Sequence, residues 1–237
     1  GWPEAKGKGW LWAAVTDAVS AFHVDRNRNA AAFHRLMGPK YRGTIGTDRW
    51  SSYHGHPNTR RGICWAHLKR DFQKWVDWGS EAAGIGQAGL QAVKKTFDLW
   101  RDFREGVLDR PGLQAALAPV CIELYETLEA GLSCPVPKAT RFCRNLLEVY
   151  PALWTFARVE GVEPTNNHAE RTLRPAVIWR KISFGNHSEA GCRFAERILT
   201  TVQTLRLQKR HVLAYLREAL VAHRTGQPAP LLVPLGV

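Results

Sequence analysis

The stretch from Thr165 to Arg180, TNNHAERTLRPAVIWR, concentrates residue types that handle phosphate chemistry. It holds one carboxylate, Glu170, two amides, Asn166 and Asn167, and the cations Arg171, Arg174 and Arg180, with Lys181 following directly. Pro164 and Thr165 read as a helix start and Pro175 as its end. In a helix Asn167, Glu170 and Arg174 fall at i, i+3 and i+7 and share one face. A carboxylate on a rigid element, ringed by cations and amides, suits a divalent metal ion that serves a phosphate substrate. The same spacing has a second use. Asn-x-x-Glu also resembles a capping box, in which Glu170 only satisfies the backbone of the first turn. Residue types alone leave both readings open.

The elements that must position such a site read as α/β. Trp10–Thr16 and Ala18–Val24 are short apolar runs rich in β-formers and parted by Asp17, which predicts a hairpin. The first run is apolar on both faces, as a central strand would be. Asn29–Leu36 reads as a helix capped by Asn27 or Asn29 and ended by Gly38-Pro39. Tyr41–Thr47 is a third strand, delivering Asp48 at its C-terminal end, and Arg60–Trp65 a fourth, leading into a helix over Ala66–Trp78. Ligands of such sheets sit outside the strands' carboxyl ends. Asp at a strand exit also commonly starts a turn, so Asp48 too has a purely local reading.

From Ser80 to Ala157 the pattern is helical throughout. Leu90, Val93, Phe97, Trp100 and Phe103 recur at helical spacing, as do Leu113, Leu117, Cys121, Leu124 and Leu128, and a third helix spans Pro137–Tyr150. Ile182–Ser188 is a turn-rich connector. Ser188 caps a long helix whose expected buried face is Phe194, Ile198, Val202 and Leu205. A last helix covers His211–His223, and the Pro-rich tail PAPLLVPLGV reads as extended.

Net charge is +12 and the sequence pI about 9.9, which favours a polyanionic partner. The charge is segregated. Residues 1–70 carry 12 Lys/Arg against 4 Asp/Glu, residues 71–170 carry 10 against 14, and residues 171–237 carry 11 against 3. Two basic blocks flank an acidic middle, and Glu170 sits where the middle meets the second. Five cysteines at irregular spacing indicate no disulfide framework and fit a reducing, intracellular compartment. Neither a membrane span nor a signal peptide is expected. The chain begins with Gly rather than Met, which reads as a piece of a longer product.

Three separated blocks carry a resemblance: GTDRWSSY (Gly46–Tyr53), CWAHLKRDF (Cys64–Phe72) and NNHAERTLRPAVIWRKISFGNHSEAG from Asn166. Together, in this order, they resemble the insertion sequence 66 family of DDE transposases, over about Trp10 to Pro234 and most weakly in the helical middle. The resemblance implies a ribonuclease-H-like mixed sheet interrupted by an all-helical insertion, with a helical C-terminal part. The expected segments are 1–79 and 161–206 for the catalytic domain, 80–160 for the insertion, and 207–237 for a C-terminal helix and tail. It implies Asp48 and Glu170 as the second and third metal-binding carboxylates, with Mg²⁺ (or Mn²⁺) as cofactor, two ions in the complete enzyme. The first carboxylate, in an Asp-Glu-Thr motif on a strand before Gly1, is not in this chain; Asp17, at the hairpin turn, and Glu4 are poor replacements.

Cys64-x-x-His67 resembles a signature that follows the second carboxylate in several such groups. No other Cys/His pair has zinc-ligand spacing, so a supporting role is expected: His67 bonded near the site and Cys64 packed. Arg49, Lys69, Arg70, Arg171, Arg174, Arg180 and Lys181 are the candidate phosphate contacts. Trp50 and Tyr53 either stack on unpaired bases or pack in the core. The implied partners are DNA, as transposon ends and target, further copies of the chain assembled on it, and accessory proteins of the same element. The expected location is the cytoplasm, at the nucleoid when on DNA. The alternatives are a DNA-binding remnant without catalysis, or another ribonuclease-H-like, metal-dependent nuclease.

Overall fold

The computed structural model of the protein describes residues 2–4, 7–183, 185–186 and 188–233, with the backbone alone at 3, 4, 7 and 8. The Glu4 side chain, Phe184 and His187 of the connector, and the last four residues of the Pro-rich tail lie outside the described residues. The chain is mixed α/β, mostly helical with small sheets.

In chain order the first elements are β1 (Trp2–Glu4), β2 (Gly7–Val15), β3 (Ser20–Asp25), α1 (Ala30–Met37), β4 (Ile45–Thr47) and β5 (Arg61–Ile63). The helices α2 (Trp65–Trp78), α3 (Ala83–Arg104), α4 (Arg110–Ala130), α5 (Pro137–Glu148), α6 (Tyr150–Leu153) and α7 (Thr155–Arg158) follow. The last are α8 (Asn167–Ser183), α9 (Glu189–Leu207) and α10 (Val212–Arg224). These elements form two compact units, one of residues 1–41 with 167–237 and the other of residues 42–166.

In the first unit β2 lies between β1 and β3, both antiparallel to it. The β2–β3 hairpin runs in register from Trp10 opposite Asp25 to Val15 opposite Ser20. Thr16 closes it, its hydroxyl accepting the N–H groups of Ala18 and Val19. Among the described residues β1 pairs with β2 over Gly7–Gly9. The outer edge of β3 is covered differently: the N–H groups of Ser20, Phe22 and Val24 donate to Thr204 Oγ1, Thr200 Oγ1 and Glu196 Oε1 of α9 at 3.1, 3.0 and 2.7 Å. Alternate strand residues expose one edge, and residues four apart share one helix face, so the two periods mesh. Trp2, Phe22, Ala176, Cys192, Ala195 and Leu199 form the core of this unit.

That edge contact rotates the expected buried face of α9: Leu205 is buried as expected, Ile198 and Val202 are half-buried, and Phe194 is 60% exposed, while Cys192, Ala195, Leu199, Gln203 and Thr204 are buried as well. The helix turns its polar Glu196–Thr200–Thr204 row to the strand because unpaired strand N–H groups need acceptors. Pro175 does not end α8 either, but lies inside it. Its missing N–H costs the helix the bond to the carbonyl of residue 171, and Arg171 lies on the exposed side. The helix starts at Asn167, later than Pro164-Thr165 suggested.

In the second unit β4 and β5 are parallel, Thr47 opposite Ile63. The third and fourth strands are each shorter than their apolar runs. The core is helical: Trp65, Leu68, Phe72, Leu113, Leu117, Leu124, Leu128 and Leu146 are at most 2% exposed. Each such side chain contributes roughly 1.5–3 kcal/mol by leaving water. Val120 takes the buried place expected of Cys121. Gly86 and Gly89 let α3 close on α2; a Cβ on Gly89 would sit 2.1 Å from Phe72 Cδ1. The Trp65 indole N–H donates to Leu153 O at 2.8 Å, tying α2 to α6, and the Thr155 hydroxyl to Arg61 O at 2.7 Å, tying α7 to β5.

Candidate functional site

Asp48 follows β4 directly. Its Oδ1 accepts the Trp50 N–H at 3.0 Å, so the turn-forming reading of this residue holds. The buried Arg61 guanidinium braces the same turn. Its Nε donates to Thr47 Oγ1 at 3.1 Å, its Nη2 to Asp48 O at 3.0 Å, and its plane lies 5.6 Å from the Tyr53 ring. Burial lowers the Arg61 pKa, opposed chiefly by the Asp48 charge. Tyr53 is thereby a packing partner, while Trp50 is 43% exposed.

Cys64 is buried at the start of α2. Its N–H donates to Thr47 O at 2.9 Å, and its Sγ accepts the N–H of Asn166 at 3.4 Å. The Trp65 N–H reaches Pro164 O at 2.8 Å, so the segment that leads to α8 runs beside the start of α2. Burial alone would raise the Cys64 thiol; hydrogen bonds from His67 and from the Asn166 N–H outweigh it and leave the pKa below the ordinary value. Cys64 is thus packed, with His67 and Asn166 as its polar partners.

Arg49 is engaged in this structure. It is ion-paired with Asp71, and its guanidinium lies 5.0 Å from the Phe142 ring. Lys74 adds a second cation to Asp71 at 3.0 Å. Burial raises the Asp71 pKa, but the Arg49 and Lys74 contacts bring it below 3.8. Lys69 and Arg70 differ: both are exposed on α2, with no ion-pair partner among the described residues.

On α8, Asn167, Glu170, Arg171, Arg174 and Lys181 are exposed, Arg180 is half-buried, and Thr172 and Ala176 face inward. The shared face expected of Asn167, Glu170 and Arg174 is thus a solvent face. Glu170 lies in the first turn, where the positive end of the helix dipole favours a carboxylate. His168 Nε2 lies 3.1 Å from Thr16 O, fastening this turn to the hairpin. Asp48 belongs to one unit and Glu170 to the other. Sequence reasoning missed Arg61 and Asp71; in a chain this rich in charge, no spacing distinguishes a buried ion from a solvated one.

A family model described as Transposase IS66 family matches residues 3–194. The chain belongs to this family. The matched residues include the Asp48 and Cys64 blocks and the Glu170 helix, and end within α9, so α10 lies beyond them. The protein is also 26% identical over 249 residues to "Uncharacterized protein y4qI" of Sinorhizobium fredii. That alignment covers 94% of this chain and 45% of the relative, so this IS66-family chain spans about half the relative's length. No solved structure matches it. Among the described residues no helix is long and apolar enough to cross a membrane.

Proposed function

We propose that this chain is the DNA-processing part of an IS66-family transposase with a ribonuclease-H-like catalytic domain, cutting DNA at transposon ends and joining the freed 3′-hydroxyl to target DNA. The observation that carries the reading is the family match over residues 3–194, which takes in both acid-bearing blocks. The donor chemistry fits a divalent cation: Asp48 and Glu170 offer the hard carboxylate oxygens that Mg²⁺ or Mn²⁺ takes, and Glu170 is open to water. That the two carboxylates serve one site is what the family resemblance implies.

When bound, the cation activates the attacking hydroxyl and stabilises the leaving oxygen. The side chains do the rest. Asp48 is held at a strand exit by its bond from Trp50 and by Arg61 beneath the turn. Asn166 and His67 fix the Cys64 end of the site. Lys69, Arg70, Arg171, Arg174, Arg180 and Lys181 neutralise phosphates, and Arg49 positions α2 through Asp71. Catalysis of this kind is positioning and charge neutralisation, without a covalent enzyme intermediate. Assembly of several copies on DNA is part of the same proposal.

The test is a nicking assay on duplex DNA with Mg²⁺ or Mn²⁺. Holding two ions would take a third carboxylate, which the resemblance puts in an Asp-Glu-Thr motif that is not among these 237 residues. The chain should therefore bind DNA without cutting it, and a longer chain bearing that motif should cut. Efficient cleavage by the 237 residues themselves would contradict this and make Asp17, exposed at the β2–β3 turn, the first residue to test.

A further inference from the structure

The outward face of α8 mixes charged and apolar residues in one stripe. Glu170, Arg171, Arg174, Ile178, Lys181 and Ile182 are all exposed. Steps of three and four residues from Arg171 to Ile182 keep them on one side of the helix. Ile178 is 51% and Ile182 74% exposed. The inward face of the helix is already supplied by Thr172 and Ala176, with Leu173 and Val177 half-buried. The two isoleucines therefore add nothing to the core. Arg171, Arg174 and Lys181 have no ion-pair partner among the described residues. A single exposed aliphatic side chain is ordinary. Two of them one turn apart, set among three unpaired cations, form a surface of definite chemistry.

That chemistry limits the occupant. An apolar partner would cover the isoleucines but bury three cations without counter-ions, which is costly. Free phosphate would pair the cations and leave the isoleucines in water. Duplex DNA meets both demands, with phosphates along its outside and apolar base-pair faces between its steps. Aliphatic side chains enter such steps as wedges, partly unstack them and kink the duplex. Charge points the same way: the unit that contains α8 holds 17 Lys/Arg against 7 Asp/Glu. Along the helix axis Ile178 and Ile182 lie roughly 12 and 18 Å from Glu170 at 1.5 Å per residue.

We propose that Ile178 and Ile182 are wedges that enter duplex DNA between stacked base pairs and kink it, while Arg171, Arg174 and Lys181 hold the flanking phosphates. This rests on the DNA-processing reading above and adds to it a bending element on the helix that carries Glu170. A kink there opens the stack within one duplex turn, about 34 Å, of that carboxylate.

The experiment measures energy transfer between dyes at the two ends of a duplex of roughly 30 base pairs, with and without the chain. Binding should raise the transfer. A duplex with one central mismatch, where unstacking is cheaper, should bind about tenfold tighter than the paired one. Ile178→Ala with Ile182→Ala should abolish the rise and bring that ratio to about one, while the salt slope, set by the cations, stays. Ile178→Leu with Ile182→Leu keeps the bulk and should keep the bend. Bound DNA that stays straight with the unaltered chain overturns the wedge and leaves the transposase reading standing. A bend that survives both alanines also overturns it. So does self-association in sedimentation that the alanine pair removes without changing the bend, since the stripe would then be a protein interface. Failure to bind either duplex overturns the transposase reading, and the wedge with it.

Discussion

At the residue scale, partners decide what each charge can do. Asp71 takes the Arg49 guanidinium and Lys74 as well, which leaves Arg49 a structural cation. Replacing Asp71 by Asn should cost about 1–2 kcal/mol at pH 7, because a largely buried arginine loses its counter-ion. The folded-state pKa of Asp71 lies below 3.8, so the stabilisation is complete above that value and lost as pH falls through the lower one. Urea melts of both proteins should therefore differ at pH 7 and converge once the pH falls below the lowered folded-state value; a constant difference would contradict the ion pair. Cys64 supplies a second check. His67 holds its thiol below the ordinary value, while burial pushes Cys121 and Cys143 up to about 11. Thiolate absorbance near 240 nm should rise earliest from Cys64, and Cys64→Ser should remove that first step. Losing only a late step would show that His67 does not stabilise the thiolate. Asp48 and Glu170 stand out in the sequence as candidates because they lie in blocks of recognisable order. Arg61 does not, since its burial is set by the Thr155 and Tyr53 packing around β5, which sequence spacing does not encode.

At the element scale, local signals were read well and faces less well. Asn29 and Ser188 cap α1 and α9 as their side chains demand, accepting the N–H groups of Ala32 and Gly191. The β2–β3 hairpin follows from its two apolar runs. What the pattern could not give was the rotation of α9, because its Glu196–Thr200–Thr204 row serves a strand edge rather than solvent. Thr200→Val and Thr204→Val should each cost about 1 kcal/mol, one edge hydrogen bond apiece, in denaturant melts. No loss in either would mean that water replaces them. Gly89→Ala should cost more, about 2 kcal/mol, because overpacking against Phe72 outweighs the better helix propensity of Ala. A stabilised variant would contradict the close approach of α2 and α3. The edge of β2 beyond Gly9 has no strand partner in the β1 direction among the described residues. In a longer chain, residues before Gly1 should continue β1 along it and slow amide exchange at one set of alternate residues in Trp10–Val15. Unchanged exchange would contradict that pairing.

At the scale of the whole molecule the charge is unevenly shared. The unit of residues 1–41 and 167–237 holds 17 Lys/Arg against 7 Asp/Glu, and the unit of residues 42–166 holds 16 against 14, so +10 of the net +12 lies in the first. Lys94 and Lys95 of the second unit are already paired with Asp98 and Glu123. Arg174→Ala should therefore weaken DNA binding for all sequences and lower the salt slope by about one, while Lys94→Ala should change neither. Equal losses would misplace the DNA surface. The central claim, that Asp48 and Glu170 serve one metal ion on DNA, is tested most directly by Mn²⁺ titration of the chain beside Asp48→Asn and Glu170→Gln. The account predicts one ion bound well, and tightness lost in both variants alike. Wild-type affinity retained by either variant, with its fold intact, would contradict it.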